Sequence, residues 1–375
     1  MKKVISIVLN FIASFLKVNE KKILFETGRD LVDGNPRALY FYLKENCPDE
    51  FKTVWIVTKK TDVSELKKGE YAYYKTLKSI YFLATSKYWI RSESIGNIIK
   101  KKKNQVYIQT WHGHGALKKM GYDIEYNEKK DEPMQHVKEW DYFISTDQLD
   151  EDVIRSSTGY NKKTMMLGAA CTDEILQVNR DVKRKEEIKY RLGIKENQFN
   201  KKIVFYAPTF READLTRKDI KIPITKLIEN KDIILLVRLH PLTKENIDNS
   251  IFRENIINVC MYPNASELLA ITDVLISDYS SIIYEFAILD RPIIFYDYDI
   301  EDYLKERGLY LSVKKDLPGP VVYTEDDLYE TLEDIDEIAL KYKEKMNKFN
   351  KKYNYYNDGN VCKRTIDIIR NGGFN

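Results

Sequence analysis

Short apolar runs rich in β-branched and aromatic residues recur along the chain, and polar segments of helical period separate them. The first half holds KKILFET (21–27), FKTVWIVT (51–58), YAYYKT (71–76), VYIQT (106–110), DYFISTD (141–147) and KTMMLGAA (163–170). Their lengths and composition predict strands. Between the first two, DGNPRALYFYLKEN begins with the breakers Asp33, Gly34 and Asn35, and Pro36 suits the first turn of a helix. A second helical segment is predicted to end in TSKYWIRS. The charged stretch 179–199 reads as a helical linker, after which the rhythm restarts with KKIVFYAPTF (201–210), KDIILLVRLHP (231–241), INVCMYP (257–263), DVLISDYSS (273–281) and RPIIFYDYD (291–299). Residues 325–370 return to helical periodicity. Strands alternating with helices predict βαβ units and parallel sheets. The expected fold class is therefore α/β, with two Rossmann-like, doubly wound domains facing each other across a cleft. Their expected limits are 19–178 and 179–345, with a leading helix at 1–18 and a C-terminal helix at 346–375 that packs back on the first domain.

The leader, MKKVISIVLNFIASFLKV, carries no charge between Lys3 and Lys17. It is shorter than the roughly 20 residues a membrane span needs, and no small-residue cleavage site follows it. A helix lying on an anionic membrane surface fits, with Lys2, Lys3, Lys17, Lys21 and Lys22 near the head groups; a helix packed on the protein's own core is the competing reading. The four-lysine run Lys100–Lys103 is either a solvated loop or a second contact with membrane phosphates. A formal net charge of +3 over 375 residues argues against a nucleic-acid partner bound by bulk electrostatics. The four cysteines form no C-x-x-C pair, which disfavours a disulfide framework or a zinc site.

Four segments place polar clusters directly after apolar strands, where doubly wound sheets bind ligands: TWHGHG, YAPTFRE, VRLHP and ISDYSSIIYE. His112 and His240 each follow a strand and are flanked by Gly or Pro. Imidazole exchanges protons near neutral pH, so each is either an acid–base group or a structural histidine. Ser280 and Ser281 open a helix after Asp278, and either seat an anion or simply cap. Arg238 can bring a cation to the same cleft; Glu285, one turn on, can reach a ribose hydroxyl or face solvent. The D-x-D triplet in FYDYDIED is a weak nucleotide–metal signal. A P-loop and a dinucleotide fingerprint are both missing, and neither a metal nor a cofactor is expected.

Together TWHGHGALKKMGYD, FYAPTFRE, VRLHP and DVLISDYSSIIYEFAILDRPIIFYDYDIEDYLKERGLYLS resemble the CDP-glycerol glycerophosphotransferases of wall teichoic acid synthesis, in an order and spacing that spans nearly the whole chain. The resemblance implies a GT-B fold and a peripheral place on the cytoplasmic face of the cell membrane. It also implies transfer of a polyol phosphate from CDP-glycerol or a related CDP-polyol to an undecaprenyl-diphosphate-linked saccharide. Carried onto this chain, it makes His112 the base, gives His240 the donor phosphates, and gives Ser280 and Ser281 the diphosphate. We group Arg238, Glu285, Pro208, Thr209 and Arg211 with the donor, and His114, Lys118, Lys119, Asp123 and Asp173 with acceptor or phosphate contacts. Two departures stand out. The family often has W-H-G-T-P where this chain has Trp111–Gly115, and its G-x-P-R-N-D segment is here Gly168–Asp173, without the arginine. The rival readings are a nucleotide-sugar glycosyltransferase of the same fold and a non-catalytic binder of lipid-linked glycan.

Overall fold

The computed structural model describes residues 2–28, 30–93, 99–113, 115–125, 135–209, 211, 224–230, 232–239 and 249–374. Two compact units emerge. Unit 1 comprises Met1–Gly113, Glu128–Asp173 and Tyr356–Asn375; unit 2 comprises His114–Asn127 and Glu174–Tyr355.

The sheet of unit 1 contains β1 (Asn19–Glu26), β2 (Lys52–Val57), β3 (Tyr71–Tyr73), β4 (Ser86–Arg91), β5 (Val106–Gln109), β6 (Tyr142–Ser145) and β7 (Lys163–Met166). Its order is β3-β2-β1-β4-β5-β6-β7, with every neighbouring pair parallel. Unit 2 repeats the plan with β8 (Lys202–Tyr206), β9 (Ile233–Val237), β10 (Ile256–Asn258), β11 (Val274–Ser277), β12 (Ile293–Tyr296) and β13 (Val321–Val322). The order here is β10-β9-β8-β11-β12-β13, again parallel throughout. Both are doubly wound sheets whose strand order reverses once, between β1 and β4 in unit 1 and between β8 and β11 in unit 2. The crevice beyond the carboxyl ends at such a reversal is where these sheets take ligands.

The predicted strands lie in these sheets, shorter than predicted by a residue or more at most ends. One element departs. The helix leading into TSKYWIRS stops at Thr85, and Ser86–Arg91 is the central strand β4, which lies between β1 and β5. Trp89 and Ile90 are buried. A central parallel strand, covered on both faces, lacks period-two alternation and cannot be told by pattern from the end of a buried helix. The two-residue strand β13 is too short to leave a pattern.

Each unit has its own core. In unit 1, Ile23, Phe25, Trp55, Ile90 and Ile108 cluster with Val361, Cys362, Ile366, Ile369 and Phe374 from the C-terminal segment. In unit 2, Val204, Leu235, Val237, Ile276 and Ile294 form the centre, and Leu328, Leu332 and Ile335 cover them. The helix Lys2–Phe15 leaves Ile7, Val8, Phe11, Ile12 and Phe15 exposed. No helix among the described residues is long and apolar enough to cross a membrane. Lys22, which the sequence reading put at a lipid surface, is buried. Its ammonium donates to Thr85 Oγ1 at 2.6 Å and lies over the Tyr81 and Phe82 rings. Burial lowers its pKa to about 8.

Candidate active site

At the reversal point of unit 1, the ends of β1 and β4 are locked by a buried ion pair between Glu26 and Arg91, with the guanidinium 5.1 Å from the Trp89 ring and 5.3 Å from that of Tyr107. Thr110, leaving β5, binds Arg91 O through its backbone N–H at 2.8 Å. The next residue, Trp111, has φ +57, a left-handed conformation that is costly for a bulky side chain. Its neighbours hold it there: the indole packs edge-on to Trp140 and Phe143, at 6.0 and 6.5 Å. The same indole stacks on the imidazole of His112 at 4.6 Å, 28° from parallel. The ring's Nδ1 lies 3.3 Å from Ser92 O and 3.4 Å from Glu93 Oε1, both just past the end of β4. The backbone strain therefore turns one imidazole towards the reversal point and fixes its rotation. Glu93 was missed by sequence reasoning, because it follows the strand that read as a helix.

The chain then passes into unit 2. Gly115, at φ +71, runs so close to Tyr284 that a Cβ would lie 2.8 Å from the ring. The Tyr284 hydroxyl donates to Ala116 O at 3.2 Å. Lys118 and Lys119 belong to a short segment bridged to residues 308–310: Lys119 N–H donates to Gly308 O at 3.0 Å, and Tyr310 N–H to Leu117 O at 2.8 Å. Asp123 accepts the Tyr310 hydroxyl proton at 2.5 Å.

The reversal point of unit 2 gathers Pro208, Thr209 and Arg211 after β8 with Asp278, Ser280 and Ser281 after β11. Asp278 accepts from Thr209 N–H at 2.7 Å and from Arg211 Nη2 at 2.9 Å. Arg211 also donates through Nε to Asp299 Oδ2 at 2.6 Å and through Nη1 to Thr209 O at 2.7 Å, with its guanidinium 5.1 Å from the rings of both Tyr279 and Tyr303. In this arrangement it ties the ends of β8, β11 and β12 together. Asp297, the first carboxylate of the D-x-D triplet, is 1% exposed, and neither oxygen has a hydrogen-bond partner. Burial, with Asp278 and Asp299 close by, pushes its pKa up to about 8. The second carboxylate, Asp299, is engaged by Arg211 through Nε and Nη2, and no group of three or more His, Cys, Asp or Glu among the described residues could hold a metal ion.

Ser281 begins the helix Ile282–Ala287 with no side-chain capping bond, while Ser280 Oγ accepts from Ile282 N–H at 3.4 Å. Glu285 is half-buried on that helix. Arg238, after β9, donates to Tyr262 O at 3.0 Å. Asp173 is committed elsewhere: it accepts from Val361 and Cys362 N–H at 3.1 and 2.7 Å, capping the helix Val361–Arg370 of unit 1. His114 and His240 lie outside the described residues. Unit 2 thus brings together Pro208, Thr209, Arg211, Ser280 and Ser281, while Lys118, Lys119 and Asp123 form a separate group beside residues 308–310. A surface depression lined by Lys185, Lys189, Lys202, Asp273 and Arg291 lies at the opposite, amino-terminal edge of the same sheet, away from these motifs.

Comparison with known proteins identifies the family. The model of the CDP-Glycerol:Poly(glycerophosphate) glycerophosphotransferase family matches residues 8–371. The chain is 31% identical to a teichoic acid poly(glycerol phosphate) polymerase of Bacillus spizizenii, over 98% of this chain and 96% of that one. It is 30% identical to a teichoic acid glycerol-phosphate transferase of Staphylococcus aureus, over 94% and 93%. It matches a longer Bacillus subtilis poly(glycerol phosphate) polymerase at 30% identity over 50% of that protein's length. Among solved structures, the wall teichoic acid polymerase TagF superposes with a TM-score of 0.88 at 26% identity, over 99% of this chain and 93% of that one. The fold is accordingly GT-B-like, and the chain belongs to the CDP-glycerol:poly(glycerophosphate) glycerophosphotransferase family.

Proposed function

We propose that the protein transfers glycerol phosphate from CDP-glycerol to a hydroxyl of a lipid-linked acceptor, with CMP as the leaving group. The acceptor oxygen bonds to the β-phosphorus as the bond from that phosphorus to the bridging oxygen breaks, and the hydroxyl proton passes to His112. General-base assistance of this kind is worth about 10²–10⁴-fold. Donor contacts are assigned to His240, Arg238, Pro208, Thr209, Ser280, Ser281 and Glu285, where N–H groups, hydroxyls and cations stabilise charge on the transferring phosphoryl group. Arg211 serves the donor by holding their loops. Lys118, Lys119 and Asp123, with His114, are assigned to the acceptor or its phosphate. The observation that carries the reading is the family match along the whole chain, joined to an imidazole held in one rotation at the carboxyl edge of a parallel sheet.

The acceptor's lipid places the work at the cytoplasmic face of the membrane. Two features support this: the exposed apolar face of Lys2–Phe15, and the lysine run beside it. Lys100 N–H donates to Asn10 Oδ1 at 2.7 Å, and the Lys102 ammonium donates to Leu16 O. An apolar helix face bordered by lysines suits an anionic bilayer surface. The test is a donor panel of CDP-glycerol, CDP-ribitol and UDP-sugars with an undecaprenyl-diphosphate-linked saccharide acceptor. CMP release with CDP-glycerol, matched by glycerol phosphate on the acceptor, is the expected result. Turnover of a UDP-sugar alone would replace the proposal with a glycosyltransferase.

A further inference from the structure

We infer that Glu93 is a positioning residue for His112, fixing the tautomer of its imidazole and stabilising the imidazolium that forms in transfer. This rests on the reading of His112 as the base. Among the described residues, the Ser92 carbonyl at 3.3 Å and the Glu93 carboxylate at 3.4 Å face Nδ1, and both can only accept. A neutral imidazole has one N–H and one lone pair, so Nδ1 carries the hydrogen and Nε2 the lone pair. That is the tautomer in which Nε2 can remove a proton.

The carboxylate adds what the carbonyl cannot. When Nε2 takes a proton, a full positive charge develops on a ring already stacked by Trp111, and Glu93 supplies a negative charge at its far side. The same division of labour, with an acidic residue orienting a histidine and stabilising its cation without itself being protonated, operates in hydrolase triads. Both side chains are only partly exposed, at 33% for His112 and 24% for Glu93, so solvent does not fully screen the pair. At the ends of β1 and β4 beside them, Glu26 and Arg91 are paired with each other. Separations of 3.3–3.4 Å are loose for hydrogen bonds, as is common before substrate arrives.

Glu93→Gln keeps the shape and removes the charge. The expected result is a fall in kcat, bounded by the roughly 10²–10⁴-fold that general-base assistance is worth, with KM for CDP-glycerol within twofold. The acid limb of the pH–rate profile should move to lower pH, because the imidazolium has lost its counter-charge. Glu93→Asp should recover part of the rate. NMR titration of the histidine ring signals, with His112→Gln used for assignment, gives a readout independent of turnover: the His112 pKa should fall in Glu93→Gln. An unchanged His112 titration in a folded Glu93→Gln protein overturns the inference, whatever the rate. Normal turnover by His112→Gln would instead sink the base reading, and the titration would still decide whether Glu93 holds the ring.

Discussion

Asp297 carries both carboxylate oxygens into the interior unpartnered, and its chemistry sets a pH dependence. An unfolded aspartate titrates near 3.9; in the fold, burial and two neighbouring carboxylates raise this one to about 8. Between those values the folded state binds the extra proton, so stability falls as pH rises from about 4 to about 8. Asp150, buried and raised to about 7 beside Asp147, acts in the same direction. Asp297→Asn should flatten the dependence of Tm on pH between 5 and 8, and raise Tm at pH 8 by a few degrees; an unaltered slope in thermal melts would count against it. Gly115 offers a second test at this scale. Gly115→Ala meets both a positive φ and the Tyr284 ring at 2.8 Å, whereas Gly193→Ala, at φ +80, meets nothing within 4 Å. Gly193→Ala should cost about 1–2 kcal/mol for backbone alone, and Gly115→Ala clearly more, measured by denaturant midpoints. Trp111 and His112 were legible in the sequence as an unusual polar cluster leaving a strand. Glu93 was not, because a carboxylate's contact across two strand ends depends on register that no local pattern encodes.

The helix Lys2–Phe15 exposes a continuous stripe from Ile7 to Phe15, and its membrane role can be separated from catalysis. Removing residues 1–15 should abolish flotation with anionic liposomes while leaving turnover of a short, water-soluble acceptor within a few-fold; equal flotation would discard the membrane helix. The C-terminal helix Val361–Arg370 behaves oppositely. Val361, Cys362, Ile366 and Ile369 lie in the core of unit 1, and Asp173 caps its first turn. Losing several buried side chains at about 2–5 kcal/mol each is comparable to the whole of the roughly 5–15 kcal/mol that holds a domain together. A chain ending at residue 355 should therefore lose the cooperative melt of unit 1, and a preserved two-unit melt would contradict this packing. The alternation of strands and helices made most of these elements legible. The exceptions, β4 and β13, follow from burial on both faces in one case and extreme shortness in the other. Lys22 reads as a surface lysine because its long stem and neighbouring lysines look solvated, yet Thr85 and two aromatic rings take its ammonium inside.

At the scale of the molecule, the six strands of unit 2 follow the order of the first six in unit 1, and each reversal point carries motifs that the sequence had already marked. His112 stands at the edge of one, with Thr209, Arg211, Asp278 and the serine pair at the other. Doubly wound topology alone is shared by many unrelated activities; the family match over residues 8–371 is what assigns the chain to glycerophosphoryl transfer. The measurement that bears most directly on the account is the rate of CMP release from CDP-glycerol in the presence of lipid-linked acceptor, compared between the wild-type protein and His112→Ala, with CDP-glycerol affinity measured in parallel by calorimetry. Donor affinity should stay within a few-fold while release slows by about 10²-fold or more. Release at the wild-type rate by a folded His112→Ala protein would contradict it.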